Sequence, residues 1–235
     1  TTCAPDQIVV LDATCQETMP DLVALTSATD NCPGLVVTQS PAAGTPYTGD
    51  QDVTVTITAT DGAGNTATCT AVVSFEDQTA PTITTCPADV ASLATSTTTD
   101  GDCVADYTSS IAVSDNCTFD VDYEAVNADG TTLTGSITAS SSTGSFAFTI
   151  NGLPLGANAI TYTVTDEGGN TTTCSNNVTV VDDENPVINC PGAIVQDNDP
   201  DTCGAQIEIT VSATDNCAYT ITNDYDVTQS SNNGD

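Results

Sequence analysis

Residues 53–69 read Val-Thr-Val-Thr-Ile-Thr-Ala-Thr-Asp-Gly-Ala-Gly-Asn-Thr-Ala-Thr-Cys, so apolar and threonine side chains alternate up to a glycine-containing turn. Alternation with a period of two is typical of a half-buried β-strand. Gly and Asn adopt the positive φ angles that tight hairpin turns require. Residues 159–165 alternate in the same way. The sequence therefore predicts antiparallel hairpins, and no stretch carries a convincing helical period.

The hairpin belongs to a longer unit that recurs along the chain. Three motifs mark it: Thr-Asp-x-x-Gly-Asn-Thr-x-Thr-Cys at 60–69 and 165–174, Asp-Asn-Cys at 30–32, 115–117 and 215–217, and Cys-Pro at 86–87 and 190–191. They predict a first repeat at 1–79, a second at 80–184 with an inserted hairpin at about 128–144, and an incomplete third at 185–235. Short alternating strands in units of this size predict an all-β fold of tandem immunoglobulin-like β-sandwich repeats that form an elongated rod.

The charge balance excludes many functions. The chain has 32 Asp and Glu residues, no Lys, Arg or His, and a formal net charge of −32. Without cationic side chains it has no phosphate clamp, no nucleic-acid-binding surface and no attachment to anionic membranes. It also lacks a histidine base and a Schiff-base lysine, and we expect no enzyme. An acidic surface of this kind attracts cations, and Ca²⁺ is the expected cofactor.

The eleven cysteines do not form close Cys-x-x-Cys pairs, which favours disulfides in an oxidising exterior over zinc sites. No apolar stretch approaches the ~20 residues of a membrane helix. The sequence has no initiator Met, signal peptide or anchor, and we expect an internal piece of a longer exported chain at the cell surface. Each full repeat has four cysteines, which allow three pairings.

Several segments resemble hyalin repeats. They are the Cys-Pro openings, the central Asp-Asn-Cys, the segment Tyr-Thr-Val-Thr-Asp-Glu-Gly-Gly-Asn-Thr-Thr-Thr-Cys at 162–174, and a closing Val-x-Asp-x-x-x-Pro linker. Tandem arrays rich in Thr and Asp with four cysteines also resemble the giant surface adhesins of gliding Bacteroidetes, which the type IX system exports. The resemblance implies immunoglobulin-like extracellular modules that serve cell adhesion, including gliding motility.

The resemblance also implies a disulfide pattern, because shorter hyalin-like repeats keep the first and fourth cysteines. It implies the bridges Cys3–Cys69 and Cys86–Cys174, with Cys190 bonded to a cysteine outside this chain. The second and third cysteines would then pair as Cys15–Cys32, Cys103–Cys117 and Cys203–Cys217. Strand topology opposes this last set, since about one strand separates the two cysteines in each pair.

Calcium is expected at the junctions between repeats, because loops at the same end of a sandwich converge with the incoming acidic linker. The predicted ligands at the first junction are Glu76, Asp77, Asp115, Asp166 and Asn170. Those at the second junction are Asp182, Asp183, Glu184 and Asp215, and those facing an upstream linker are Asp30, Asp61 and Asn65. Calcium takes 6–8 oxygen ligands, which suits such clusters. The alternative is that these side chains only form turns.

These observations predict a structural stalk segment of a long cell-surface adhesin filament, stiffened by disulfides and calcium, for attachment or gliding. Its partners are then neighbouring repeats of the same chain. One alternative is a module whose repeats bind a surface polysaccharide or a host protein. The absence of Trp opposes that alternative, since aromatic anchors dominate such interfaces. Another is a polymerising fibre subunit that is completed by a donated strand.

Overall fold

The computed structural model describes residues 2–95, 103–139, 141–201 and 203–222, and within these ranges the chain is all-β. A single turn of 3-10 helix lies at Val23–Leu25. The strands of the first half are β1 (Gln7–Val10), β2 (Gln16–Thr18), β3 (Val36–Ser40), β4 (Pro46–Thr48), β5 (Gln51–Thr60), β6 (Thr66–Glu76), β7 (Thr82–Thr85) and β8 (Val90–Ala94). The others are β9 (Val104–Ser114), β10 (Phe119–Asn127), β11 (Thr132–Ile137), β12 (Thr143–Pro154), β13 (Gly156–Asp166), β14 (Thr171–Val181), β15 (Val187–Asn189) and β16 (Ser212–Thr214). Among the described residues, no helix is long and apolar enough to span a membrane.

Strands β1 to β6 form the first sandwich. One layer has the order β1-β6-β5-β3, and β2 pairs with β4 in the other. The predicted hairpin is β5 and β6, in which Val55, Ile57, Val73 and Phe75 are buried while the residues that alternate with them are half exposed or exposed. Tyr47 of β4 stacks on Phe75 with 4.7 Å between the ring centroids. The period-two pattern therefore fills one core between the two layers.

Strands β7 to β14 form the second sandwich, with layers β11-β10-β13-β14-β8 and β12-β9-β7. Its core contains the fully buried Tyr162, whose hydroxyl donates to Asn176 Oδ1 at 3.0 Å. The Asn176 amide in turn donates to the backbone oxygen of Ala88 at 2.9 Å. Phe148 packs on Tyr162 from the opposite layer, with 5.5 Å between centroids. These polar groups of Tyr162 and Asn176 are paired, so they stabilise the core.

The second sandwich is larger than the first because of the strands that follow β10. β10 and β11 pair as an antiparallel hairpin around a turn at 127–131, and β12 has 12 residues where β4 of the first sandwich has three. Within the predicted insertion at 128–144, residue 140 lies outside the described residues. In both sandwiches a strand near the start runs parallel to the last strand, as β1 with β6 and β8 with β14.

The region after the second sandwich has less regular structure. β15 and β16 form an antiparallel pair in which Val187 faces Thr214. Residues 223–235 of the predicted third repeat lie outside the described residues. Among the described residues of this region, several aliphatic side chains are exposed, including Val195 at 95%.

Four disulfides connect these parts. Cys3–Cys69 lies within the first sandwich and Cys86–Cys174 within the second. Cys15–Cys117 joins the first sandwich to the second, and Cys103–Cys217 joins the second to the β15–β16 region. Cys32, Cys190 and Cys203 are free and exposed. The partner of Cys190 outside this chain stays a prediction.

The predicted pairs Cys15–Cys32, Cys103–Cys117 and Cys203–Cys217 are wrong. In the second sandwich, β9 spans the whole distance between Cys103 and Cys117, which places these two cysteines at opposite ends. The second cysteine of a repeat lies at the end that faces the next repeat, and there it meets that repeat's third cysteine. The prediction allowed bridges only inside a repeat, so this partner was not considered.

Candidate cation site at the first junction

Three carboxylates converge where the first sandwich meets the second. Asp77 directly follows β6, Asp115 directly follows β9, and Asp166 ends β13. One carboxylate oxygen from each lies within 4.8 Å of the other two. Asp77 is 3% exposed and Asp166 is 5% exposed. These are three of the five ligands predicted for this junction, contributed by the linker, the Asp-Asn-Cys loop and the Asp-x-x-Gly-Asn turn.

The hydrogen bonds of this cluster leave several buried oxygens without a partner. The Asp166 carboxylate accepts from the Asn170 backbone at 2.7 Å and from the Asn170 amide at 2.9 Å. Asp77 Oδ1 accepts from Thr79 N at 3.0 Å and from Asn116 Nδ2 at 3.1 Å. Asp77 Oδ2, both carboxylate oxygens of Asp115 and Asn116 Oδ1 are buried without a hydrogen-bond donor. Buried acceptors of this kind are costly unless something binds them.

The electrostatics of the site favour a bound cation. Burial, together with the negative charges of Asp77 and Asp166, raises the pKa of the Asp115 carboxyl above its ordinary value, although the backbone N–H groups of Asn116 and Cys117 partly oppose the shift. The chain has no Lys, Arg or His that could neutralise these groups. Carboxylate and amide oxygens are ligands for hard divalent cations. The cluster can therefore hold a divalent cation, because the chain has no cationic side chain that could neutralise these carboxylates.

Two other predicted ligands of this junction have different roles. The Glu76 carboxylate accepts from Gln78 Nε2 at 3.0 Å and does not belong to the cluster. The Asn170 amide nitrogen donates to the Asp166 carboxylate and to the backbone oxygen of Asp77 at 3.0 Å, and its role as a calcium ligand stays a prediction. Asn170 holds the linker against the turn.

The second junction brings together fewer of its predicted residues. Oxygens of Asp182 and Asp215 and the sulfur of Cys217 lie within 4.8 Å of one another. Since Cys217 is in a disulfide, the two carboxylates are the members of this group that could bind an ion. Asp183 and Glu184 are not part of this group.

The residues predicted to face an upstream linker form a turn. Asp61 accepts from Ala63 N and Asn65 N, each at 2.8 Å, and from the Asn65 amide at 2.8 Å. These bonds lower the pKa of Asp61. Asp30 accepts from Cys32 N, and no metal-sized group within the described residues includes Asp30 or Asp61. These side chains form turns, and their binding of calcium together with an upstream linker stays a prediction.

Sequence reasoning missed several residues that build the junction. Asn116 donates from Nδ2 to the backbone oxygen of Asp12 in the first sandwich at 3.1 Å, and its own side-chain oxygen is buried without a hydrogen-bond donor. Glu167 Oε1 accepts from the backbone N of Asp50 at 3.3 Å, and Asp50 accepts from Asp77 N. The middle position of Asp-Asn-Cys was a signal for Asn116, whereas Asp50 and Glu167 depend on contacts between sandwiches.

A glycine allows the linker to approach the turn closely. A Cβ atom at Gly168 would lie 2.2 Å from the backbone oxygen of Asp77. The equivalent position in the first sandwich is Ala63, which is exposed. Gly168 therefore belongs to the junction, and its lack of a side chain permits the contact between Asp77 and Asn170.

Comparisons with known proteins give structural likenesses only. No protein-family model matches the chain, and no curated protein matches it. It is similar to the fibronectin(III)-like modules of Clostridium thermocellum CbhA, at 14% identity, TM-score 0.32, and coverage of 76% of this chain and 90% of that one. It is also similar to Drosophila N-cadherin, at 16% identity, TM-score 0.34, and coverage of 91% and 58%.

A third likeness is to a tetra-tandem repeat in the extending region of a large adhesion protein, at 18% identity and TM-score 0.34. That match covers 67% of this chain and 44% of the other. The fold assignment rests on the strand pairing described above, and the resemblance to hyalin repeats stays a prediction.

Proposed function

We propose that this chain is a stalk segment of a long extracellular adhesin filament, in which Ca²⁺ bound at the junctions fixes one sandwich relative to the next. The observation that carries the proposal is the group Asp77, Asp115 and Asp166, with buried unpartnered oxygens at the contact between two sandwiches. Ion binding at a junction neutralises repulsion and orders three separate segments together. A filament built in this way projects a binding tip from the cell.

Calcium fits this donor set better than zinc or magnesium. The three carboxylates are hard ligands, and the chain has no histidine. The nearby Cys15 and Cys117 are bonded to each other, so they offer no thiolate. Calcium tolerates irregular sets of 6–8 oxygens, with water completing the shell, whereas magnesium demands near-ideal octahedral geometry.

The distribution of aromatic side chains favours a spacer over a ligand-binding module. All four Phe residues, together with Tyr107 and Tyr162, are buried in the sandwiches. Among the described residues, Tyr219 is the one aromatic residue that is mainly exposed, at 44%. Binding surfaces for glycans and proteins usually present aromatic anchors. The resemblance to gliding adhesins extends the proposal to export by type IX secretion and a role in attachment or gliding.

Calcium titration by calorimetry at fixed ionic strength, with magnesium present as a competitor, tests this proposal. We expect the wild-type chain to bind calcium at a saturable site that Asp115→Asn removes. The matched control is Asp120→Asn, which removes the same charge from an exposed position on β10. The proposal fails if all three proteins give the same isotherm, because the acidic residues then attract ions only as a diffuse charge.

A further inference from the structure

Two of the disulfides connect strands of successive units into one covalent line. Starting at Cys3, β1 runs along the first sandwich to Cys15, and the bridge to Cys117 crosses the first junction. From Cys117, β9 runs backward in sequence along the second sandwich to Cys103, and the bridge to Cys217 crosses the second junction. This line, which we term the disulfide spine, is separate from the main-chain linkers between the sandwiches.

The strands in the spine are already close to fully extended. All 11 residues of β9 are in extended conformation, and they lie between Cys103 and Cys117. A strand rises about 3.3 Å per residue, while a fully stretched chain reaches at most about 3.3–3.6 Å per residue. Pulling on the spine can therefore lengthen the β9 segment very little.

We propose that the disulfide spine makes this segment of the filament inextensible, so that tension cannot lengthen it by unfolding the sandwiches. The spine from Cys3 to Cys217 contains about 26 peptide units and two bridges, which limits its stretched length to about 100 Å. The same interval along the main chain contains about 214 units and would stretch to about 750 Å. The shortest covalent path sets the limit, whatever the state of the sandwiches.

The two bridges inside the sandwiches do not produce this limit. Without the spine bridges, tension passes through Cys3–Cys69, the main chain to Cys86, Cys86–Cys174 and the main chain to Cys217. That path has about 60 units and stretches to about 220 Å. The bridges within sandwiches thus reduce the maximum length of the chain under tension, and the bridges between units reduce it further.

This mechanical role goes beyond the proposed cation site and does not depend on it. A bound ion restrains the angle between sandwiches through contacts that chelator or high salt weakens. A disulfide is unaffected by either. The spine is therefore expected to act equally in the presence and absence of calcium.

Single-molecule force spectroscopy in chelator, with non-cysteine tags at the two chain termini, tests the spine. The three free thiols are replaced by serine in every protein as Cys32→Ser, Cys190→Ser and Cys203→Ser, to prevent disulfide exchange. Peptide mapping without reductant first establishes the bridges in each sample. The residues outside 3–217 contribute the same length to all proteins and cancel in comparisons.

One variant lacks the spine bridges (Cys15→Ser, Cys117→Ser, Cys103→Ser and Cys217→Ser). Its matched control lacks the bridges within sandwiches (Cys3→Ser, Cys69→Ser, Cys86→Ser and Cys174→Ser). We expect the control to reach the same maximum extension as the parent, the spine variant to gain about 120 Å, and the reduced parent to gain about 650 Å. These covalent limits hold even if a variant unfolds more easily.

Three results would overturn the inference, and the first two concern the parent protein. One is an unreduced parent that lengthens by several hundred ångströms, and the other is mapping that pairs Cys15 or Cys103 inside its own repeat. A control variant that lengthens more than the spine variant would likewise assign the limit to the bridges within sandwiches.

Discussion

The substitution Asp115→Asn should change stability in opposite directions with and without calcium. Asp115 suits this test because no side-chain donor bonds its carboxylate and the amide of Asn has the same shape. Two ionised oxygens 4.8 Å apart repel by about 3 kcal/mol at an effective dielectric constant of about 20. Asp115 faces two such neighbours, Asp77 and Asp166.

In chelator the substitution removes this repulsion, and we expect it to stabilise the protein by about 1–3 kcal/mol after partial protonation and relaxation are allowed for. For a sandwich of this size, each kcal/mol raises Tm by roughly 4–8 °C. In millimolar calcium the substitution removes a charged ligand, and Tm should fall below that of wild type. Differential scanning calorimetry at pH 7 and fixed ionic strength measures both shifts.

The pH dependence in chelator gives an independent reading of the same residue. Since the pKa of Asp115 is raised in the folded state, that state binds the proton more tightly than the unfolded chain does. The group's favourable contribution is present at low pH and is lost as pH rises through its folded pKa. Mild acidification should therefore stabilise wild type relative to Asp115→Asn. The reasoning is refuted if the variant is less stable than the control Asp120→Asn in chelator and in calcium alike.

Three further predictions concern the core, the junction and the surface. Tyr162→Phe leaves Asn176 Oδ1 without its buried donor, so we expect a loss of about 1–3 kcal/mol in a denaturant titration, and a neutral effect would contradict the core described here. Gly168→Ala places a methyl group against the backbone oxygen of Asp77, so we expect it to weaken calcium binding by about tenfold, or 1.4 kcal/mol. The matched control is the reverse change at the equivalent turn, Ala63→Gly, which should leave calorimetric titrations with calcium unchanged. On a glycan array the isolated chain should give no specific signal, and reproducible binding would replace the spacer function with recognition.

Local patterns were enough to predict the hairpins and the clustering of carboxylates. The alternation in residues 53–60 and the turn at 61–65 involve neighbours in sequence, so their period and turn chemistry determine β5 and β6. The convergence of Asp77, Asp115 and Asp166 followed from strand direction alone, because alternate strands return loops to the same end of a sandwich. Neither prediction needed the exact packing of side chains.

Contacts between sandwiches were the part that sequence reasoning could not supply. The partner of Cys15 is 102 residues away in another sandwich, and nothing in the order of cysteines within a repeat indicates such a pairing. The orientation of the Asn116 amide likewise depends on the backbone oxygen of Asp12 across the junction. Topology did place the second cysteine of a repeat at the end opposite the third. That placement was correct evidence against the pairing which the prediction adopted.

The carboxylate group at Asp77 and the Cys15–Cys117 disulfide would restrain different motions at the first junction. The Asp77 group lies on one covalent connection, the main-chain linker, while Cys15–Cys117 forms a second connection between the same two sandwiches. Two connections at separate points oppose bending and twisting as well as stretching, but a disulfide alone leaves the acidic surfaces repelling each other. An ion removes that repulsion without limiting the length of the chain under tension. From the two proposals together, we expect stiffness at rest to depend on a bound cation and on ionic strength, and the maximum length under load to depend on the oxidation state of the cysteines.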